Sequence, residues 1–232
     1  YELTTLREIE SITELGTNVG VVAYSPDGRV LVSGSTNGWV RVWSCPERRL
    51  LLELPAHQTM VYFLGFSVDG KRMLSVEAGW PVAVASGKAI CWDVQTWRPL
   101  QSFDLGQINY LYGTALSPDG RQWLIGQYYG LIQWWNAETG TLLASSVAPR
   151  DQPVAGLAFS PDGTRFASGG EEGSVALWDA SSFKPITTFK GHIGSGGSAA
   201  FSPDGRRLAT GGGSGHDAVK LWDPVTHREL VT

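Results

Sequence analysis

Two histidines stand at the same distance from the same motif: His57 lies ten residues before Ser67, and His192 ten residues before Ser202. Histidine is the side chain best suited to metal ligation and to proton transfer near neutral pH. A metal would need further ligands, and no third one at a zinc-like spacing accompanies either residue, so both are read as structural. Other motifs with chemical potential are incomplete. In "SGKA" (Ser86 to Ala89) the lysine suits a phosphate loop, but Val82 stands where G-x-x-x-x-G-K needs its first glycine, and Ala89 lacks the metal-binding hydroxyl. "GGGSG" (Gly211 to Gly215) opens no helix and reads as a flexible turn. No G-x-S-x-G occurs. Glu171 and Glu172 are neighbours at a turn, whereas acid and base catalysis needs groups placed across a cleft. Catalytic residues, a metal site and a cofactor are therefore all expected to be absent.

Composition narrows the class further. The chain has 232 residues, a formal net charge of −4, 42% hydrophobic and 11% aromatic residues, which suits one large globular domain. No apolar run approaches the roughly 18 residues of a membrane helix, and the polar start "YELTTLREIESITEL" has no basic n-region or apolar h-region. The start at Tyr1 suggests a piece of a longer chain. Without a run of Lys or Arg, a phosphate-binding surface is not expected. Cys45 and Cys91 fall in no C-x-x-C pattern, which favours a reducing, cytoplasmic setting.

The elements that must position any site come from a repeat. "SPDG" occurs at Ser25, Ser117, Ser160 and Ser202, with "SVDG" at Ser67, in steps of 42, 50, 43 and 42 residues. Trp43, Trp92, Trp135, Trp178 and Trp222 keep the same period, with the main insertion in the second unit. Each unit spells four strands. In the fourth, "VAGLAFS" (Val154 to Ser160) runs into SPDG, where Pro sets position i+1 of a type I turn and Gly supplies positive φ. "RFASGG" (Arg165 to Gly170), "SVALWD" (Ser174 to Asp179) and "KPITTF" (Lys184 to Phe189) follow. The strands are nearly continuously apolar, so both faces of each sheet should be buried. Small sheets with two apolar faces must stack on one another, and radial stacking gives a propeller.

These features resemble the WD40-repeat family, over essentially the whole chain. Trp92-Asp93, Trp178-Asp179 and Trp222-Asp223 match its signature dipeptide, while Trp43-Ser44 and Trp135-Asn136 depart from it. "FKGHIGSGGSAAFSPDGRRLATGG" followed by "VKLWDPVTHREL" is the strongest match, and is more similar to bacterial members than to eukaryotic ones. The resemblance implies an all-β propeller with five visible blades at 16–54, 55–104, 105–146, 147–189 and 190–232, preceded by an outer strand of an earlier blade in 1–15. Such a chain is expected to be part of a larger ring, often of seven blades. A closed five-bladed ring is the alternative.

The resemblance also implies a hydrogen-bond relay of His, Ser or Thr, Trp and a turn Asp that locks a blade. Carried over, it falls on His192, Thr210, Asp217 and Trp222 in blade five, and on His57, Ser75 and Trp92 in blade two. Leu15, Gln107 and Arg150 replace the histidine elsewhere. Recognition is left to the opposite face from SPDG, formed by the turns between second and third strands and by the links between blades. There the rebuilt loop Val76 to Lys88 carries Trp80, blade three carries Tyr128 and Tyr129, and blades one and four carry Asn37 and Glu172. Trp39, Trp97, Trp123 and Trp134 are expected to fill gaps between blades.

The resulting expectation is a non-catalytic scaffold for a protein or peptide partner, with no nucleic acid and no membrane, in a larger regulatory or signalling protein. Two other readings are an enzyme or small-ligand binder using the central channel, and a purely structural segment without a ligand. The inner strands "GVVAYS", "VYFLGFS", "LYGTALS" and "VAGLAFS" are almost wholly apolar, which disfavours the channel.

Overall fold

A computed structural model describes residues 18–77, 87–106, 111–148, 153–170, 173–190, 192, 196–212 and 219–231. They form five antiparallel sheets of four strands, each sheet in plain chain order. The first sheet is β1 (Val19–Tyr24), β2 (Val30–Ser35), β3 (Trp39–Ser44) and β4 (Arg49–Pro55). The second is β5 (Val61–Phe66), β6 (Arg72–Glu77), β7 (Lys88–Asp93) and β8 (Arg98–Asp104). The third is β9 (Leu111–Leu116), β10 (Gln122–Gln127), β11 (Leu131–Asn136) and β12 (Leu142–Val147). The fourth is β13 (Val154–Phe159), β14 (Arg165–Gly170), β15 (Ser174–Asp179) and β16 (Lys184–Lys190). The fifth is β17 (Gly196–Phe201), β18 (Leu208–Gly212), β19 (Val219–Asp223) and β20 (Arg228–Val231). No helix among the described residues is long and apolar enough to cross a membrane.

The repeated tetrapeptide closes the first hairpin by one set of bonds. Ser25 Oγ donates to Asp27 Oδ1 at 2.6 Å and accepts the Val30 N–H at 2.9 Å, while Asp27 Oδ1 accepts the Arg29 N–H at 3.0 Å. Gly28 sits at φ 69°, where a glycine relieves the strain any other residue would carry. The same serine-to-aspartate bond recurs at Ser67, Ser117, Ser160 and Ser202. The serine hydroxyl and a backbone N–H hold the Asp27, Asp162 and Asp204 carboxyls below their usual range.

The residue after each marker tryptophan caps the second turn. Asp179 Oδ1 accepts the Ser181 and Ser182 N–H groups and both hydroxyls, which lower its pKa to about 2. Asn136 accepts the Glu138 and Thr139 N–H groups, and Ser44 accepts that of Glu47. The two departures from Trp-Asp therefore keep the bond that the aspartate makes. Five residues after the tryptophan the backbone turns left-handed in every sheet: Arg48, Trp97, Phe183 and His227 have φ of 52–60°, and the third sheet places Gly140 there.

Four apolar clusters glue the sheets in chain order. Val32, Val40 and Val42 meet Leu64, Met73 and Trp92 between sheets one and two. Leu74, Val76 and Cys91 meet Trp123, Ile125 and Trp135 between two and three. Leu124, Ile132 and Trp134 meet Phe166 and Trp178 between three and four. Ala167 and Val175 meet Leu208 and Trp222 between four and five. The inner strands β1, β5, β9, β13 and β17 neighbour one another successively, which is the radial arrangement. At the last junction a Cβ on Gly156 or Gly169 would overlap the carbonyl oxygen of Gly197, so the close approach of these strands requires glycine. Arg72 to Glu138 and Arg165 to the Pro224 carbonyl tie neighbouring sheets at their feet.

The expectation of two buried faces holds for the second and third strands of the first four sheets and not for the fourth strands, nor for β19, of which only Trp222 is buried. β6 and β14 are buried at five of six positions, whereas β4 leaves Leu50, Leu51 and Leu52 each more than a third exposed. The sheets diverge from the axis, so their outermost strands are rim edges. Pro99 and Pro185, with Arg49, Arg98, Lys184 and Arg228 opening the strands, are residues that blunt such edges against further pairing. At the first sheet, β1 leaves Val22 and Tyr24 exposed at 56% and 64%. The outer strand expected within 1–15 lies outside the described residues.

Candidate functional site

The second sheet builds a buried polar chain from two strands and a link. Trp92 Nε1–H on β7 donates to Ser75 Oγ on β6 at 2.8 Å, and Ser75 Oγ lies 2.8 Å from His57 Nε2 in the link before β5. The indole already donates to Ser75, so the serine hydroxyl is free to donate to Nε2, which leaves the histidine proton on Nδ1. That nitrogen is buried, has no hydrogen-bond partner, and faces Glu77 Oε2 at 3.7 Å. Burial, with Lys88 adding to it, lowers the His57 pKa to about 4, so the ring is neutral at pH 7.

In the fifth sheet His192 Nε2 lies 2.8 Å from Thr210 Oγ1, which accepts Trp222 Nε1–H at 2.9 Å. Asp217 lies outside the described residues. Among the described residues, sheets one and four retain only the last bond, Trp43 to Ser33 and Trp178 to Ser168. Sheet three has none: Ile125 occupies the hydroxyl position and the buried Trp135 Nε1–H is unpartnered. It is held by apolar packing instead.

Of the recognition candidates, Tyr128 and Tyr129 form an edge-to-face pair with ring centroids 5.1 Å apart at 90°. Tyr128 packs on Tyr112 at 5.7 Å, and the Tyr62 hydroxyl donates to the Tyr112 carbonyl at 3.3 Å. A ladder of tyrosines thus runs from the inner strands to the exposed turn, where Tyr129 is 63% exposed. Tyr62 and Tyr112 were not among the expected site residues; alternation along an inner strand does not reveal a contact that crosses sheets. Asn37 is exposed at its turn, with Oδ1 2.9 Å from Ser35 Oγ. Trp80 and Glu172 lie outside the described residues. Trp123 and Trp134 are fully buried between sheets, Trp97 packs edge-on against Phe66, and Trp39 is half-buried.

Two of the cavities among the described residues lie on opposite faces. One of about 260 Å³ lies between sheets four and five on the SPDG face, among Pro161, Phe201, Pro224 and Val225. Proline meets the next turn's glycine there, as Pro26 meets Gly70 and Pro118 meets Gly163 at other junctions, so it follows from the stacking. The other, about 180 Å³, lies on the opposite face of sheet two among His57, Gln58, Glu77, Lys88 and Asp104. No three His, Cys, Asp or Glu side chains among the described residues come together to hold a metal.

The WD40 family profile, WD domain, G-beta repeat, matches residues 10–44, 139–179 and 183–223. The chain belongs to the WD40 family. Transducin beta-like protein 3 of Bos taurus is 30% identical over 136 residues, covering 53% of this chain and 16% of that protein. Human WD repeat and SOCS box-containing protein 1 is 26% identical over 120 residues, covering 51% and 27%. Guanine nucleotide-exchange factor SEC12 of Mus musculus is 38% identical over 60 residues, covering 26% and 14%. The chain therefore spans about a quarter or less of these relatives. A chain in the crystal structure of a mitotic checkpoint complex matches this WD40 fold with a TM-score of 0.75 at 21% identity, covering 91% of this chain and 62% of that one.

Proposed function

We propose that this WD40 chain is a non-catalytic interaction scaffold within a larger regulatory or signalling protein, presenting its second-to-third-strand turns to a protein or peptide. WD40 propellers generally bind protein partners, and the matched chain of known structure belongs to a protein complex. The observation that carries the choice of face is the tyrosine ladder. Tyr128 and Tyr129 are large, amphipathic and already ordered by Tyr112, so little side-chain entropy is lost when a partner covers them, the condition under which aromatics become binding anchors. The SPDG face, by contrast, uses its polar groups internally: each serine and aspartate is committed to its own turn.

Asn37 belongs to the same surface, and Trp80 and Glu172 are assigned to it by their place in the repeat. The partner is a protein or peptide rather than nucleic acid or membrane, in keeping with the acidic net charge of −4. The free thiols Cys45 and Cys91 suit the cytoplasm. A Tyr128→Ala/Tyr129→Ala double variant should keep the wild-type unfolding midpoint and bind captured partners at least about tenfold more weakly. Quantitative pull-down against wild type is the check; undiminished capture of every partner would overturn the assignment of this surface.

A further inference from the structure

The pocket of about 180 Å³ on the second sheet has a sign and a shape that the relay does not account for. Glu77 closes β6, and its side chain is only 10% exposed. Its Oε2 accepts the Gln58 N–H at 2.9 Å and the Thr59 N–H at 3.4 Å, while Oε1 has no hydrogen-bond partner among the described residues. Asp104, at the end of β8 and paired in register with Lys88, uses Oδ1 for the Gly106 N–H and lines the same pocket. His57, with its side chain fully buried and Nδ1 unpartnered, forms part of the wall. Lys88 is exposed and lines the same pocket, without a salt-bridge partner among the described residues.

We infer that this pocket takes the guanidinium of an arginine side chain projecting from the protein partner, with Glu77 Oε1 and Asp104 as its acceptors. The inference rests on the proposed role of this face and names the chemistry of one anchor in the partner. Three observations lead to it. The buried carboxylate is half satisfied by the backbone and keeps one oxygen for a donor. The imidazole beside it is uncharged at neutral pH, so two carboxylates face one lysine and the pocket is net negative. Its carboxylates and histidine do not converge as metal ligands would, whereas a planar guanidinium carries donors on three nitrogens and bridges separated acceptors in a way that neither a metal ion nor an ammonium does.

The test is a titration of the ¹⁵N-labelled chain with acetyl-arginine amide at low salt, read at the Trp92 indole N–H, which is coupled to the pocket through Ser75 and His57. Saturable shifts with a Kd of about 1–10 mM are expected. Asp104→Asn, on an exposed carboxylate, should weaken binding about fivefold, and Lys88→Ala should strengthen it about twofold. Glu77→Gln should abolish it, and the other two variants still report should that one fail to fold. No saturable shift with wild type, or an equal response to acetyl-glutamine amide or acetyl-lysine amide, would overturn the assignment. Tyr128→Ala/Tyr129→Ala should leave the titration unchanged, so failure of the pocket and failure of the tyrosine surface register separately.

Discussion

Replacing Trp134 with alanine should cost about 3–5 kcal/mol of folding stability, the range for removing a fully buried large aromatic. Trp134 has no solvent exposure and touches three rings at once, Phe166 at 5.1 Å, Phe183 at 5.4 Å and Trp178 at 5.9 Å. These contacts join sheets three and four, so the variant opens a junction rather than a local hole. Phe166 and Trp178 come from the second and third strands of sheet four and have little freedom to collapse into the space. Trp134→Phe supplies the contrast. The indole Nε1–H is buried without a partner, and an unmade bond of that kind costs about 1–3 kcal/mol. Phenylalanine removes that burden together with part of the volume, so its loss should stay below about 2 kcal/mol. Urea denaturation of both variants is the check; equal losses would show that the ring contacts do not hold the junction.

Acid should weaken the fold through His57 before the turn carboxylates titrate. The ring has a pKa of about 4 in the folded chain against an ordinary value of 6.5. Above pH 6.5 the histidine is neutral in both states and the stability is fully present. As pH falls from 6.5 towards 4 the unfolded chain binds the proton and the folded chain does not, so stability drops progressively and levels off below about 4. A difference of two to three units corresponds to about 3 kcal/mol at the bottom of the window. Asp27, Asp162, Asp179 and Asp204, all held below 3.8, add their losses at lower pH. His57→Gln should be less stable at pH 7, where the bond to Ser75 is weakened, and distinctly flatter between pH 6.5 and 4. Chemical denaturation at several pH values reads both effects, and an unchanged slope in the variant would place the acid sensitivity elsewhere.

Much of the architecture was legible because local chemistry and global packing agree in every repeat. Serine, aspartate and glycine in "SPDG" specify their hairpin with bonds that stay within six residues, so their meaning survives without knowledge of the neighbours. The marker tryptophans are buried at the positions their period implies. The polar chains of sheets two and five fall on residues that the family resemblance marks and that spacing alone does not. What was not legible depends on contacts between repeats. Glu77 meets His57 because β6 ends on a carboxylate where the other second strands end on Ser35, Gln127, Gly170 and Gly212, and no motif marks it. Tyr62 and Tyr112 support the exposed tyrosines from inner strands 50 residues apart. The left-handed residue five places after each tryptophan is glycine only once, so residue type alone conceals it. The exposed leucines of β4 read as core in sequence and lie on the rim, since apolar character does not report distance from the axis.

The choice of recognition face is tested most directly by site-specific photocrosslinking. A benzophenone amino acid would replace Tyr129 at the second-to-third turn of sheet three or, as the opposite-face control, Val68, which is 65% exposed in the first hairpin turn of sheet two. Crosslinks to one protein partner from position 129, with none to that partner from position 68, are the expected result. Crosslinks from position 68 with none from 129 would contradict the assignment of the tyrosine face as the surface that meets other molecules.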